Sequence, residues 1–254
     1  MLEINFDCHI HTVRSACGED ITDEWLCRKA NENQVRFTVT DHTMHLYYEP
    51  EIAWGMMTDE GIALYEQRKS SGRDNILRYM EEIRSCGHPN MMVGVELDVQ
   101  PDGQIMFPED LRNEVDIMVG ALHYLPTIQK KRPADDIEAQ FRQQTLWLLE
   151  YGVDVLAHPY RIMLGAKQAV SPELIEWVVD KAGEHGAALE INPHFPFPGY
   201  DVAMVKLAVA RGIKLATGTD SHNSREFGLF DYHGDILTQA GLSDEQAAEM
   251  LFRL

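Results

Sequence analysis

The chain has 254 residues, of which 44% are hydrophobic and 25% are charged. This composition is typical of a folded globular protein and excludes a largely disordered one. Aspartate and glutamate number 41 against 22 lysines and arginines, so the formal net charge is −19. Because nucleic-acid-binding surfaces are usually basic, this balance argues against DNA or RNA as a partner. Apolar runs all fall short of the ~20 residues of a membrane span, so we expect no membrane partner.

The amino-terminal residues and the cysteines indicate the compartment. Residues 1–7 read MLEINFD, without the basic start and apolar stretch of a signal peptide. The four cysteines, at positions 8, 17, 27 and 86, form no CxxC pair. We therefore expect a cytoplasmic protein with reduced thiols.

Seven short apolar, β-branched segments recur along the chain, and each ends at residues able to bind metal ions. The predicted strands are 2–8, 36–40, 91–95, 116–122, 154–157, 187–191 and 213–218. Helical patterns occupy 22–33, 75–86, 137–151, 172–184, 201–211 and 244–252. Three of them are followed by a glycine, the residue at which helices commonly end: Gly152, Gly186 and Gly212. Alternating strands and helices favour a parallel sheet.

The spacing of the later strand ends favours a closed barrel. The residues at these ends follow one another at intervals of 27, 35, 32 and 30 residues: Glu96, His123, His158, Glu190 and Asp220. A βα unit needs ~30 residues, and barrel active sites lie at the carboxyl ends of the strands. We expect one domain over residues 1–254, with a lid or loop insertion at 43–73. An open doubly wound sheet is the alternative, weakened by the lack of a glycine-rich phosphate loop.

The histidines concentrate at these strand ends. His9 and His11 alternate along a strand and so present two imidazoles to one side, as Asp220 and His222 present two ligands. A single pair of this kind could equally be two ordinary polar residues near a strand end. However, six of the 11 histidines lie at predicted strand ends. Imidazole and carboxylate suit zinc, iron and manganese, so the pattern predicts a metal centre. Four histidines outside this pattern are predicted to lie at the surface: His45, His88, His185 and His233.

Six motifs resemble, in chain order, those of the PHP (polymerase and histidinol phosphatase) family. They are Asp7-Cys-His9-Ile-His11-Thr, Thr40-Asp41-His42, Gly94-Val-Glu96, Ala121-Leu-His123, Ala157-His158-Pro159 and Thr219-Asp220-Ser-His222. The resemblance implies an α/β fold, a single distorted (β/α)7 TIM-like barrel. It also implies two or three divalent metal ions (Zn, Fe or Mn) and a metal-dependent phosphoesterase similar to histidinol phosphatases.

The same resemblance implies roles for individual residues. One metal would be held by His9, His11, Glu96 and Asp220, a second by Glu96, His123 and His158, and a third by His42 and His222. Many relatives have a further histidine where this chain has Cys17. The sequence leaves open whether Cys17, Glu19 or Asp20 replaces it, or whether the third site is missing, and it favours a carboxylate or a missing site over the thiolate.

Clustered divalent metals lower the pKa of a bridging water and grip a phosphate during in-line displacement. We therefore expect hydrolysis of a small phosphomonoester, such as histidinol phosphate, by attack of a metal-bound hydroxide. Asp220, as a proton shuttle, and His222 are the predicted catalytic residues. Arg161 and Arg225 each lie three residues after a predicted ligand and are predicted to bind the phosphate.

Further polar residues are predicted to line the site. Asp7 and Asp41 stand beside ligand histidines and are expected to orient imidazoles. Glu190 and Asn192 lie at the next strand end, near the predicted site. Two other enzyme functions are open alternatives, an amidohydrolase-type hydrolase of amides or lactones and a phosphodiesterase or nuclease of the same family. A metal-stabilised binding domain is the alternative that is not an enzyme.

Overall fold

A computed structural model describes residues 2–32 and 35–254, and in this part of the chain seven strands alternate with helices. The strands are β1 Phe6–Ile10, β2 Arg36–Val39, β3 Met91–Leu97, β4 Ile117–Gly120, β5 Val155–Leu156, β6 Ala188–Glu190 and β7 Leu215–Ala216. Neighbouring strands pair in parallel in the order of the sequence. The seven predicted strands are confirmed, although β1 covers residues 6–10 rather than 2–8 and so includes His9 and Ile10.

Strand β7 lies beside β1 and closes the sheet. Three backbone hydrogen bonds join these strands and the residues after them: Cys8 N to Thr217 O at 3.3 Å, Asp220 N to His9 O at 2.9 Å and His11 N to Ser221 O at 2.9 Å. Asp7 adds to this seam, since its carboxylate accepts hydrogen bonds from the backbone N and the hydroxyl of Thr219 at 2.9 and 2.6 Å. The predicted barrel is confirmed, and the carboxyl ends of β1 and β7 are neighbours.

The helices cover the strands. In the described residues they are α1 Asp23–Glu32, α2 Thr43–Tyr47, α3 Pro50–Ala53, α4 Asp59–Ser85, α5 Pro126–Gln129, α6 Ala134–Tyr151, α7 Arg161–Gly165, α8 Pro172–His185, α9 Pro198–Arg211, α10 Asp231–Gln239 and α11 Asp244–Met250. The six predicted helices are present, although the predicted end of the first, Asn33, lies outside the described residues. Helices α6, α8 and α9 end at glycines with positive φ, as predicted: Gly152, Gly186 and Gly212.

The segment 43–73 is helical. It contains α2, α3, the 3-10 turn Trp54–Met56 and the first part of α4, which begins at Asp59 rather than at residue 75. The ring centroids of Tyr47 and Tyr65 lie 4.9 Å apart, so α2 packs directly on α4. The segment is therefore part of the fold, and its role as a lid stays a prediction. Across the described part of the chain, the helices lack the combination of length and apolar character that membrane crossing requires.

Candidate metal centre

The barrel brings the eight predicted metal ligands together at the carboxyl ends of its strands. They are His9, His11, His42, Glu96, His123, His158, Asp220 and His222. Seven of these residues are buried, and the side chain of His123 is only 6% exposed. Burial of so many ionisable groups in one place is costly unless they are paired or hold cations.

Glu96, on β3, lies at the centre of this group. Its Oε1 lies 3.2 Å from His158 Nε2, 3.4 Å from His9 Nε2 and 3.5 Å from His123 Nε2. Its Oε2 lies 2.8 Å from His42 Nδ1 and 3.4 Å from His11 Nε2. Within the described residues, Glu96 Oε2, His42 Nδ1 and His123 Nε2 make no hydrogen bond of acceptable geometry, although the first two atoms lie only 2.8 Å apart. Buried polar atoms are almost always satisfied. Lone pairs left unsatisfied around one carboxylate fit divalent metal ions bound among them.

His9 is oriented with its Nε2 towards the other candidate ligands. Its Nδ1 lies 2.8 Å from Glu190 Oε1 and is placed to donate a hydrogen bond to this carboxylate. Its Nε2, on the other side of the ring, lies 3.1 Å from Nε2 of His11. Asp220 Oδ1 is a further 3.1 Å from that His11 nitrogen. A carboxylate behind a histidine is the arrangement that commonly supports metal ligation.

His123 has a similar support that the sequence analysis missed. Its Nδ1 lies 3.2 Å from Oδ1 of Asp98, and the other oxygen of Asp98 accepts a hydrogen bond from the backbone N of Met44 at 2.9 Å. Nε2 of His123 therefore faces Glu96. Asp98 could have been found from its position, because it follows Glu96 by two residues and so shares its side of the extended chain.

Two of the candidate ligands have unusual backbone conformations. His158, two residues after β5, and Asp220, four residues after β7, have φ values of +27° and +52°. Only four non-glycine residues in the described part of the chain have positive φ, and these are two of them. Such conformations are strained for residues with a Cβ atom and concentrate at functional sites.

The third predicted metal position gains a candidate ligand. Ligand atoms of His11, Cys17 and His42 all lie within 4.8 Å of one another. Glu19 points elsewhere, with a side chain that is 61% exposed. Asp20 accepts two hydrogen bonds from Ser224, both at 2.7 Å. Of the three residues that the sequence left open, Cys17 alone is part of this group of possible ligands.

The pKa values follow from this crowding. Burial alone would raise the pKa of Glu96, but the imidazoles of His42 and His123 hold it well below its usual range. Burial and the neighbouring His42 lower the pKa of His11 to about 3. Burial and His11 lower the pKa of His222 to about 3 as well. The last two imidazoles are thus neutral at pH 7, which is the form that binds metal ions.

The two predicted phosphate-binding arginines differ in their position. Arg161, at the start of α7, has Nη1 3.5 Å from Asp220 Oδ2, and its guanidinium carbon lies 4.1 Å from the centroid of the Phe195 ring. The side chain of Arg225 is 82% exposed, with Nη2 3.8 Å from Glu19 Oε2. The structure therefore brings Arg161 to the cluster and places Arg225 in solvent. The role of each arginine in phosphate binding stays a prediction.

The remaining polar residues support the site in different ways. Glu190 Oε2 accepts hydrogen bonds from His158 N at 2.8 Å and from Asn192 Nδ2 at 2.9 Å, so both lie at the site as expected. The expectation for Asp7 and Asp41 needs correction. They anchor backbone and hydroxyl groups rather than imidazoles: Asp7 binds Thr219, and Asp41 accepts from Thr12 N and Oγ1 and from Ser15 Oγ.

The prediction that His45 and His233 lie at the surface is wrong. His45 is 7% exposed and its Nδ1 accepts a hydrogen bond from Ala16 N at 3.1 Å, because α2 packs back onto the site. His233, on α10, is fully buried with Nε2 3.1 Å from the carbonyl of Gly218. Trp54 was not singled out by sequence, yet its ring centroid lies 5.0 Å from that of His42.

The fold and this site define an α/β barrel protein with a candidate multinuclear metal centre at the carboxyl ends of its strands. The PHP domain family model matches residues 7–194. The chain belongs to the PHP domain family, and the predicted family is thereby confirmed.

Two curated relatives and one solved structure place the chain further. A probable phosphatase of Thermoanaerobacter sp. (strain X514) is 26% identical over 162 residues, which cover 61% of this chain and 62% of the relative. The DNA polymerase/3'-5' exonuclease PolX of Bacillus subtilis (strain 168) is 24% identical over 223 residues, covering 87% of this chain and 35% of the relative. The chain thus spans less than two thirds of the length of either relative.

The solved structure is a histidinol phosphate phosphatase from Lactococcus lactis subsp. lactis Il1403, complexed with zinc, L-histidinol and phosphate. It is 13% identical in sequence, with a TM-score of 0.55, and the match covers 94% of this chain and 95% of that one. At this level of identity the similarity concerns the fold, and it supports the barrel described above.

Proposed function

We propose that this protein is a metal-dependent phosphoesterase that hydrolyses a small phosphomonoester. The observation that carries this proposal is the convergence of six histidines, Glu96 and Asp220 at the carboxyl ends of the strands, with unsatisfied lone pairs among them. The relative named as a probable phosphatase supports it. The zinc, L-histidinol and phosphate in the structural neighbour support the metal requirement and make histidinol phosphate the first substrate to test.

The donor set of the described residues fits two or three divalent metal ions. In this proposal the ligands are His9, His11, Glu96 and Asp220 for one position, Glu96, His123 and His158 for a second, and Cys17, His42 and His222 for a third. When bound, such ions lower the pKa of water and offset the negative charge of a phosphoryl group. Imidazole and carboxylate donors accept zinc, iron and manganese, and a thiolate adds a preference for a softer metal such as zinc.

Asp220 connects the metal-binding and phosphate-binding parts of the site. Its Oδ1 faces His11, while its Oδ2 lies 3.1 Å from Asn192 Nδ2 and 3.5 Å from Arg161 Nη1. In this proposal the carboxylate accepts the proton of the attacking water. Arg161 donates hydrogen bonds to the outer phosphoryl oxygens, for which the planar guanidinium is suited. The Nδ1 of His222 donates to the Asp220 carbonyl at 2.6 Å, which leaves its Nε2 free as a ligand.

The test is phosphate release from a panel of small phosphomonoesters, including histidinol phosphate, by protein loaded with zinc, iron or manganese. We expect activity in the unmodified chain and a loss of about 100-fold or more in Glu96→Gln, which removes the central charge. Glu176→Gln is the matched control, because Glu176 is exposed and pairs with Arg211 at 2.5 Å. Protein that binds metal but releases phosphate from none of the esters would overturn the proposal.

A phosphodiesterase is the second candidate, favoured by the similarity to the exonuclease-bearing relative from B. subtilis. The net charge of −19 opposes binding of a long polyanion, so the fitting substrate would be a short oligonucleotide. Cleavage of a dinucleotide faster than any monoester of the panel would make this the better assignment.

A further inference from the structure

A cavity of about 380 Å3 opens next to the candidate metal centre. Its wall is formed by residues of α7, the segment after β6 and the 3-10 turn that contains Trp54. The residues that matter here are Trp54, Leu122, His123, Arg161, Phe195 and Phe197. Pockets of this kind, mostly apolar with a few polar groups, are typical of small-molecule sites.

The exposure of the aromatic residues in this cavity is unusual for the chain. Trp54 is 43% exposed and Phe195 is 44% exposed. Among the phenylalanine, tyrosine and tryptophan side chains of the described residues, these two are the exposed ones, and both line the same cavity. Leaving such rings in water forgoes the free energy of burying them, so a cluster of exposed aromatic rings indicates a binding surface.

The cavity is continuous with the metal centre. The Trp54 ring centroid lies 5.6 Å from that of His123 and 5.0 Å from that of His42, both candidate ligands. Arg161 stands at the junction, since it contacts Asp220 on one side and Phe195 on the other. A phosphoryl group held at the metals and Arg161 would therefore direct the rest of its ester into this cavity.

The charged residues that line the cavity disfavour a cationic substrate group. Its ionisable lining residues in the described chain are His123 and Arg161, with no carboxylate among them. An ammonium group entering here would lose water without gaining an anionic partner, and would meet the guanidinium of Arg161. One face of Phe195 is already covered by that guanidinium at 4.1 Å, and a cation on the other face would still lie near its positive charge.

We propose that the cavity formed by Trp54, Phe195 and Phe197 binds an uncharged aromatic leaving group, an inference that rests on the proposed function. The preferred substrate class is then an aryl or arylalkyl phosphomonoester rather than a phosphorylated amino alcohol. Trp54 and Phe195 determine this specificity through stacking and burial of apolar area, while the phosphoryl end depends on Arg161 and the metal centre.

The test compares three esters in which the phosphate oxygen is attached to a CH2 group, so their leaving groups have similar reactivity. They are benzyl phosphate, ethyl phosphate and 2-aminoethyl phosphate, assayed with the metal-loaded full chain by release of inorganic phosphate. We expect kcat/KM for benzyl phosphate to exceed that for each of the other two by about tenfold or more, as burial of one aromatic ring provides.

Variants locate the effect in the cavity. Trp54→Ala and Phe195→Ala should each lower the ratio of kcat/KM for benzyl over ethyl phosphate by about fivefold to tenfold. Phe195→Leu, which keeps apolar bulk, covers the case in which the alanine variants fold poorly. Leu77→Ala is the control, because Leu77 is another exposed hydrophobic residue, on α4 and outside this cavity. Calorimetric binding of the non-hydrolysable benzylphosphonate gives a readout that is independent of turnover.

The outcomes separate the inference from the proposed function. If the three esters are hydrolysed equally, if 2-aminoethyl phosphate is preferred, or if the ratio is unchanged in both alanine variants, the aromatic leaving group is refuted and the phosphatase stands. If none of the esters is hydrolysed by metal-loaded protein, the phosphatase is refuted. In that case, tighter binding of benzylphosphonate than of ethylphosphonate, lost in Trp54→Ala, would still support the aromatic cavity, and equal binding would refute it.

Discussion

Nδ1 of His9 lies 2.8 Å from Oε1 of Glu190, and both side chains are fully buried. The other oxygen of Glu190 accepts a hydrogen bond from the backbone of His158. One carboxylate thus orients two candidate ligands. We predict that Glu190→Gln weakens metal binding by about 10–100-fold, the usual cost of losing a supporting carboxylate.

The measurement is competition for zinc against a chromophoric chelator. Glu176→Gln serves again as a matched control, since it makes the same chemical change at an exposed position. Equal zinc affinity in Glu190→Gln and the unmodified chain would contradict the role given to this carboxylate.

Cys17 gives a prediction that is independent of activity. Its sulfur lies in the group of possible ligands with His11 and His42. Loading the protein with cobalt(II) should therefore produce a near-ultraviolet thiolate-to-metal charge-transfer band. This band should vanish in Cys17→Ser and in Cys17→His, while Cys17→His keeps the number of metal ions per chain. Cys86→Ser is the control, and a band that persists in Cys17→Ser would exclude Cys17 as a ligand.

The positions of the two arginines predict different kinetics. Arg161→Ala should raise KM for a phosphomonoester by about tenfold, because charge-assisted hydrogen bonds to phosphate are lost. Arg225→Ala should raise KM less than Arg161→Ala, because the Arg225 side chain is 82% exposed. Steady-state kinetics on both variants checks this. A larger effect at Arg225 would mean that this side chain moves to the phosphate when substrate binds.

Asp201, on α9, predicts a pH dependence of stability. Burial raises the pKa of its carboxyl to about 6, although the hydroxyl of Tyr232 donates to it. The unfolded chain loses this proton near a pKa of ~3.9. Between these values the folded state holds more protons, so this residue's contribution to the free energy of unfolding falls as pH rises, by about 3 kcal/mol at most.

Asp201→Asn keeps an acceptor for Tyr232 and removes the charge. The free energy of unfolding of the variant, minus that of the unmodified chain, should therefore be larger at pH 7.5 than at pH 5. Urea unfolding in the presence of a chelator measures the difference without interference from metal binding. Asp235→Asn, at an exposed position, is the control. A difference between Asp201→Asn and the unmodified chain that is constant across pH would show that Asp201 titrates normally.

The sequence predicted the strand ends and the ligands at them because both are local properties. A ligand such as His123 follows a short apolar run directly, and parallel strands place their carboxyl ends on one side of a barrel. Asp98 could also have been found, since it lies two residues after Glu96. The early start of α4 could not, because its first residues lack the periodic apolar pattern that identifies a buried helix face.

Other features depend on contacts between distant parts of the chain. Asp20 is turned away from the site by Ser224, 204 residues later. This contact helps to fix the loop in which Cys17 rather than Glu19 lies near His11. The burial of His45 likewise depends on the packing of α2 against the site and on Trp54. Such long-range pairings have no local pattern from which they could be predicted.

The seam between β1 and β7 has a consequence for biogenesis. His11 and Asp220 are 3.1 Å apart but separated by 209 residues in the chain. During synthesis, His9 and His11 remain without this partner until the chain has been made as far as Asp220, after β7. The complete candidate centre therefore forms only as the barrel closes, and contacts of such long range fold slowly. A full complement of metal would thus report that the barrel has closed, and a chain that ends before Asp220 could not acquire it.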